Sequence, residues 1–227
     1  MQTSIPRPQP QWNLSMAIIN LYGASGHAKV VKEIVEACGG TVGCLYDDAP
    51  ACGSLLGAPV VRAADAVVAG PLIISIGSNR VRRLISARYP LEYARAIHPQ
   101  AVVSPSAMVD DGSVVMPGVV IGADARIGRH CIINTGASVD HECCVGDFAH
   151  ISPRAALCGN VTVGEGAWVG AGATVIPGVS IGPWAMVGAG ATVVTDIPAG
   201  AVAVGTPARV IRQTACDGDT GAASNQP

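Results

Sequence analysis

An aliphatic side chain recurs at every sixth position from Ile97 to Val193, with no insertion between repeats. The fourth residue after each of these positions is small or β-branched, from Ala101 to Ile197. A period of six fits neither an α-helix nor a strand that is buried on one side. It is typical of a hexapeptide β-helix, in which each sextet forms one flat side of a coil. The 17 sextets therefore predict a triangular prism of between five and six coils, without a lid loop.

The segment before the prism has a different pattern, in which short apolar runs alternate with helical periodicity. We expect strands at 17–22, 42–46 and 72–76, and helices after residue 27, at 63–68 and after residue 78. The segment rich in Pro and Gly after the second strand is expected to be a loop. In the last of these helices, Val81, Leu84 and Ile85 are the expected buried face. Strands that alternate with helices predict a parallel sheet with crossover connections.

These patterns divide the chain into four parts. We expect a Rossmann-like α/β half-domain at 17–97 and a left-handed parallel β-helix at 98–211. The Pro- and Gln-rich segment 1–16 and the small, polar segment 212–227 are expected to be disordered tails. Either Met1 or Met16 could be the first residue of the natural protein.

Composition excludes several classes of protein. The net charge of −2 gives no basic excess for binding nucleic acid or an anionic membrane, and no apolar run is long enough to span a bilayer. The eight cysteines contain no CxxC spacing, which indicates a reducing, cytoplasmic compartment. Cys131, Cys143 and Cys158 are expected to be inward-facing fillers of the prism, so we predict no metal site around them.

A glycine-rich turn follows the first strand, with the sequence Gly23-Ala-Ser-Gly26-His27. Such a turn lets the backbone approach a phosphate at a helix N-terminus. Asp47, at the end of the next strand, is where an acid would meet a ribose hydroxyl. Two glycines of the dinucleotide fingerprint are missing, which favours a mononucleotide or nucleotide sugar and disfavours a nicotinamide enzyme. A tight turn without a ligand is the alternative.

His141 is the strongest candidate for chemistry. It occupies the third position of its sextet, from which the side chain should point outward, and Asp140 and Glu142 flank it. A neutral imidazole is the natural general base near pH 7, and an adjacent carboxylate would orient it. His150 lies nine residues further on. A solvated surface histidine is the alternative. Glycines of the C-terminal coils, among them Gly170 and Gly188, either serve the turns or leave N–H groups open to a pantetheine arm.

Several motifs together resemble the hexapeptide-repeat acyltransferases of the sialic acid O-acetyltransferase-like family, especially bacillosamine-type sugar N-acetyltransferases. The resemblance covers about residues 18–211. The motifs that carry it are Tyr22-Gly-Ala-Ser-Gly-His27, Leu45-Tyr-Asp-Asp48, Ile76-Gly-Ser-Asn-Arg80, Asn134-Thr, Asp140-His-Glu-Cys143, Gly146-Asp-Phe-Ala-His-Ile-Ser152 and Val204-Gly-Thr-Pro-Ala-Arg209. Asp140 departs from the glutamate common before this histidine.

The resemblance implies a role for each candidate residue. His141 would be the general base and Glu142 its orienting partner, and the Gly159 N–H would stabilise an oxyanion. Acetyl-CoA would lie between two prisms of a homotrimer, near Asn134, His150, Gly170 and Gly188. The residues that would hold the nucleotide sugar are Gly23, Gly26, His27, Asp47, Asp48, Ser78 and Asn79.

The expected activity is acetyl-CoA-dependent N-acetylation of a UDP-linked 4-amino-6-deoxy sugar for glycan biosynthesis. The same residues could acetylate a hydroxyl group of sialic acid or of another sugar. A scaffold that binds nucleotide sugars without catalysis is the alternative from a different class.

Overall fold

The computed structural model describes residues 14–213. Its N-terminal part is a five-stranded sheet with two helices, and the strand order is β3-β4-β2-β1-β5. The bounds of these elements are β1 Ile18–Tyr22, α1 Gly26–Ala37, β2 Thr41–Asp47, β3 Ser54–Leu55, β4 Ala58–Arg62, β5 Leu72–Ile74 and α2 Asn79–Arg88. β1, β2, β4 and β5 are parallel, and only β3 and β4 pair antiparallel. This confirms the Rossmann-like half-domain.

The central strand and the first helix follow from their apolar residues. Ile19 and Leu21 of β1 are fully buried beneath Val31 and Val35 of α1. Gly39, with φ +82°, ends the helix in the left-handed conformation that suits glycine. Because β1, β2 and β5 are parallel, the loops after their carboxyl ends meet at one edge of the sheet.

Three expectations for this domain were wrong. The segment after β2, expected to be a loop, contains the hairpin β3–β4. The helix expected at 63–68 is a single 3₁₀ turn, Ala63–Asp65, because its buried residues Ala63 and Val68 do not share a helical face. In α2 the buried residues are Asn79, Arg82 and Ile85, whereas Leu84 is 65% exposed.

From residue 96 the chain forms the predicted prism. Within the described residues, 17 two-residue strands, β6 to β22, follow one another in chain order. They are Ala96–Ile97, Val102–Val103, Met108–Val109, Val114–Val115, Val120–Ile121, Arg126–Ile127, Ile132–Ile133, Ser138–Val139, Cys144–Val145, His150–Ile151, Ala156–Leu157, Thr162–Val163, Trp168–Val169, Thr174–Val175, Ser180–Ile181, Met186–Val187 and Thr192–Val193. All pair in parallel; Val120, for example, pairs with Ser138, 18 residues away.

Every third strand stacks into one side of the prism. Face 1 contains β6, β9, β12, β15, β18 and β21; face 2 contains β7, β10, β13, β16, β19 and β22; face 3 contains β8, β11, β14, β17 and β20. Face 1 continues into β23 (Ala201–Val204) and an antiparallel β24 (Arg209–Gln213). The fold is the predicted left-handed parallel β-helix of hexapeptide repeats.

The interior of the prism contains the periodic aliphatic residues. All of them are buried except Val103, in the first coil, which is half-buried. Cys131 and Cys143 are fully buried as predicted. Cys158 is half-buried instead, because Leu157, directly before it, takes the inward position.

Most of the two predicted tails lies outside the described residues. At the first boundary, Leu14 and Met16 donate backbone hydrogen bonds to Cys38 O and Gly39 O, so they belong to the folded domain. Residues 212 and 213 belong to β24. No helix among residues 14–213 is long and apolar enough to cross a membrane.

Candidate active site

His141 lies at the corner between face 2 and face 3, in the turn that joins β13 to β14. Its side chain is 57% exposed. The ring Nδ1 is 3.2 Å from Glu142 Oε2, and the His141 backbone N–H donates to Asp140 Oδ1 over 2.7 Å. One carboxylate therefore orients the ring and the other fixes the turn, which leaves Nε2 as the outward, reactive nitrogen.

Gly159 lies directly against the His141 ring, one coil further along the prism. A Cβ atom at position 159 would be 2.5 Å from both Cε1 and Nε2 of His141. Only glycine therefore lets the ring lie against this turn. Among the described residues nothing accepts a hydrogen bond from the Gly159 N–H. An imidazole and an unused backbone donor thus lie side by side.

His150 lies on face 1, in β15, where its ring stacks on Trp168 with centroids 5.9 Å apart. Asn134 Oδ1 accepts the Thr135 N–H, which turns the amide nitrogen towards His150 Nε2, 3.1 Å away. Burial, followed by the charges of Arg82 and His27, lowers the pKa of His150 to about 3. His150 is therefore neutral, with its proton on Nδ1.

His27 lies in the first turn of α1, at the edge of the sheet where the loops meet. Burial, and then the charge of Arg82, lowers the pKa of His27 to about 4. Its Nε2 is buried and has no hydrogen-bond partner among the described residues. His27 and His150 are near enough to influence each other's protonation, so the N-terminal domain and face 1 form one cluster with Asn134.

Of the two aspartates expected at the nucleotide, Asp47 holds the glycine-rich turn and Asp48 binds side chains beside it. Asp47 accepts the backbone N–H groups of Ala24 and Ala49, each over 2.9 Å. Asp48 Oδ1 accepts the Tyr22 hydroxyl over 2.8 Å and Arg88 Nη1 over 3.1 Å. Asp47 thus shapes the turn and Asp48 fixes the Tyr22 and Arg88 side chains, whatever the two carboxylates contribute to a ligand.

The two glycines of this turn differ. Gly23 has φ +108°, and a Cβ there would lie 2.6 Å from Ile76 Cγ1, so backbone packing requires glycine. A Cβ at Gly26 would meet nothing within 4 Å. Open space above the first residue of α1 is where a phosphate could approach.

Ser78 and Asn79 have structural roles in α2. Ser78 is the N-cap, and its hydroxyl accepts the Val81 N–H over 3.5 Å. Asn79 is 3% exposed and donates to the carbonyls of Gly166 and Ala167 on the prism. The Asn79 side chain therefore fastens the two domains together.

Gly170 and Gly188 are explained by packing between coils. A Cβ at Gly170 would lie 2.6 Å from Ala189 N, and a Cβ at Gly188 would lie 2.8 Å from Val204 Cγ1. Both follow face 1 at the same position as Asn134, at intervals of 18 residues. Their backbone positions suit a ligand beside Asn134, but the close packing alone accounts for glycine.

The structure does not bring all candidate residues together in one chain. His141, Glu142 and Gly159 lie between faces 2 and 3, whereas His27, Asn134 and His150 lie on or beside face 1. All of face 3, roughly 20 Å of extended chain, separates His141 from His150. A shallow groove of about 300 Å³ runs along face 3, beside Arg126, Cys144 and Thr162. Among residues 14–213, no three His, Cys, Asp or Glu side chains converge as metal ligands would.

Comparison with known families and structures agrees with this architecture. Residues 18–89 match the model of the PglD N-terminal domain, and residues 160–195 match that of the bacterial transferase hexapeptide with six repeats. No curated protein matches the chain.

Solved structures resemble nearly the whole chain. The H141N mutant of perosamine N-acetyltransferase from Caulobacter crescentus, in complex with CoA and GDP-perosamine, is 42% identical over 88% of this chain and 99% of its own, with a TM-score of 0.81. The acetyltransferase domain of PglB from Neisseria gonorrhoeae, in complex with acetyl coenzyme A, is 36% identical over 87% of this chain and 100% of its own, with a TM-score of 0.80. The chain therefore belongs to the hexapeptide-repeat family of acetyl-CoA-dependent amino-sugar N-acetyltransferases.

Proposed function

We propose that the protein transfers the acetyl group of acetyl-CoA to the 4-amino group of a nucleotide-linked 4-amino-6-deoxy sugar, for glycan biosynthesis in the cytoplasm. The observation that carries this proposal is the position of the His141 ring, oriented by Glu142, directly against Gly159, whose N–H has no acceptor among the described residues. Acetyl transfer needs a base for the amine proton and a donor for the oxyanion. At this corner of the prism the base, His141, lies next to the donor, the N–H of Gly159. The seven free thiols of the described residues suit a reducing compartment.

In the proposed reaction the neutral amine attacks the thioester carbonyl carbon. The amine proton passes to His141 Nε2, and the carbonyl oxygen becomes an oxyanion beside the Gly159 N–H. Collapse of the tetrahedral intermediate breaks the C–S bond, and the imidazolium returns its proton to the CoA sulfur. Glu142 stabilises the imidazolium between these two steps. No covalent enzyme intermediate is required.

A complete site needs two chains. His141 cannot act on a sugar held by its own N-terminal domain, because all of face 3 intervenes. We propose that His141 of one protomer works beside the His27, Asn134 and His150 cluster of the next protomer in a homotrimer. Face 2 supports this arrangement, since its outward side chains are small or apolar and include Val102, 65% exposed, and Val120, 47% exposed.

The sequence prediction favoured UDP as the nucleotide of the sugar substrate. Two structures that are 42% and 43% identical to this chain contain GDP-perosamine. Those likenesses exceed the 37% identity to the PglB acetyltransferase domain. We therefore propose a GDP-linked sugar as the first substrate to test and a UDP-linked sugar as the second.

The test is a product assay by mass spectrometry. The protein would receive acetyl-CoA with GDP-perosamine, with UDP- and dTDP-4-amino-6-deoxy sugars, or with free sialic acid. Acetylation of one amino sugar supports the proposal and identifies the nucleotide. Acetylation of sialic acid alone would replace it with O-acetyl transfer. No product from any acceptor, together with no binding of acetyl-CoA, would favour a scaffold.

The base assignment is tested by His141→Gln, which keeps a polar side chain of similar size. We expect the rate to fall on the order of 10²–10⁴-fold, the usual contribution of a general base. His98→Gln is the matched control, because His98 lies in another turn and its Nδ1 only accepts the Gln100 N–H. Full activity of His141→Gln would refute the role of the ring.

A further inference from the structure

Arg82 is the most buried charged residue of the described chain, with 1% of its surface exposed. All five of its N–H groups have acceptors at ordinary hydrogen-bond distances. Nε donates to His130 O over 3.0 Å, Nη1 to Ile76 O over 3.1 Å and Gly77 O over 2.8 Å, and Nη2 to Asn79 Oδ1 over 2.9 Å and Phe148 O over 2.7 Å.

No carboxylate of the described residues forms an ion pair with this guanidinium. A buried charge without a counter-charge is costly to desolvate, and apolar side chains usually fill such a space at lower cost. Packing alone therefore does not explain an arginine here. A guanidinium does provide what an apolar residue lacks, which is five donors in a rigid planar fork.

Three of the five acceptors of this fork lie in two functional segments. Ile76 and Gly77 belong to the loop after β5, at the sheet edge where we place the nucleotide. Phe148 precedes the His150 strand on the prism by two residues. One rigid side chain thus connects the loop beside the sugar nucleotide to the strand beside the acetyl donor.

We propose that Arg82 is a positioning residue for acetyl transfer, which sets the distance between the bound sugar and the acetyl donor by holding the loop after β5 against the β15 strand. This inference rests on the proposed function. Each substrate would still bind to its own domain without Arg82, but the two reacting groups would no longer be aligned.

The first test is Arg82→Lys, which keeps the charge but has only three donors and no fixed plane. We expect kcat at saturating substrates to fall on the order of 10²-fold, because small misplacements of reacting groups have effects of that size. The Kd of CoA and the Kd of the sugar nucleotide, each measured alone, should change by no more than about threefold. Unchanged kcat would overturn the proposal, and so would a parallel loss of kcat, both affinities and melting temperature.

Arg83→Lys is the matched control. Arg83 lies on the same helix and also reaches the prism, through Glu165 at 3.6 Å and the Trp184 ring, but its side chain is half exposed. Its kcat should stay within about twofold of the wild-type value. If Arg82→Lys does not fold, Asn79→Ala removes one acceptor of the same fork, and kcat should fall about tenfold.

Hydrogen exchange of the unliganded protein separates this inference from the proposed function. Backbone amides of 76–79 and 148–150 should exchange faster in Arg82→Lys and not in Arg83→Lys. A wild-type protein that acetylates nothing would refute the proposed function, while exchange would still decide whether Arg82 connects the two segments. Unchanged exchange in both segments would overturn the connection.

Discussion

At the scale of single residues, glycines in the prism leave space for large side-chain rings in the adjacent coil. The His141 ring lies against Gly159, the His130 ring against Gly112 and the Trp184 ring against Gly166, and each pair is 18 residues apart. Residues 18 apart stack in adjacent coils, and at these three positions the ring occupies the space that a side chain on the glycine would need. Glycine is therefore required at position 159 by the neighbouring His141 ring as much as by the turn itself.

The first prediction concerns Gly159→Ala. The added methyl group would overlap the His141 ring and displace it, so we expect kcat to fall on the order of 10²-fold with little change in the affinity for CoA. Steady-state kinetics with the preferred sugar would measure this. Gly53→Ala is the control, since a Cβ there meets nothing within 4 Å and φ is not positive, and it should behave as wild type. A fully active Gly159→Ala would contradict the geometry.

The roles of individual residues were only partly predictable from sequence. The outward direction of His141 follows from its position in the sextet. The burial of Asn79 and Arg82 does not, because the prism carbonyls that accept their hydrogen bonds are 48 to 88 residues away in the chain. A polar residue on a helix looks solvent-exposed until the surface that covers it is known.

At the scale of elements, α2 shows why apolar periodicity can mislead. Its apolar residues suggested a face formed by Val81, Leu84 and Ile85, yet the helix packs through Asn79, Arg82 and Ile85. Carbonyl groups at the corner between face 3 and face 1 accept the hydrogen bonds of that polar face. The hydrogen bonds from Asn79 and Arg82 to the prism therefore set the rotation of α2 about its axis, and Val81 and Leu84 remain exposed.

Stability measurements on α2 provide the second prediction. Leu84→Gln should change the free energy of unfolding by no more than about 0.5 kcal/mol, because Leu84 is mostly exposed. Ile85→Ala should cost about 2–5 kcal/mol, because Ile85 is buried. Chemical unfolding would measure both values. The opposite order would restore the face predicted from sequence.

At the scale of the whole molecule, three neutral histidines make stability depend on pH; His130 is buried, and His27 and His150 are half-buried. Burial is the largest cause that lowers the pKa values of His27 and His130 from the ordinary 6.5 to about 4. It is also the largest cause that lowers the pKa of His150 to about 3. The unfolded chain therefore binds more protons than the folded chain between about pH 6.5 and 4. The contribution of these histidines to the free energy of unfolding is fully present above about pH 6.5, and it is lost as the pH drops through this window.

The third prediction is a lower melting temperature at pH 5 than at pH 7.5, measured calorimetrically. His130 alone should contribute about 2 kcal/mol to the loss. His130→Phe keeps the stacking on Phe148 and removes two ring nitrogens that have no partner among the described residues. The pH dependence of that variant should be visibly weaker, and an unchanged dependence would mean that His130 is not involved.

The fourth prediction concerns assembly. Val120→Glu places a charge in the apolar stripe of face 2, so we expect it to dissociate the proposed homotrimer and to abolish turnover. Light scattering coupled to size-exclusion chromatography would measure the mass. Thr162→Glu, on the exposed surface of face 3, is the control for oligomeric state and should stay trimeric. A monomeric wild type would remove the basis of a two-chain site.

The prism was determined by the sequence alone, because each sextet decides locally which of its residues point inward, and 17 uninterrupted repeats leave one solution. The same local logic directed His141 outward, whereas Gly159 was expected only from the family resemblance, and the structure showed it against the ring. Only the tertiary structure decided that Arg82 lies inside, that Asp47 holds the glycine turn, and that the candidate site is divided between two sides of the prism. Those features depend on contacts between segments that are far apart in the chain and are not related by the repeat, so the hexapeptide pattern does not predict them.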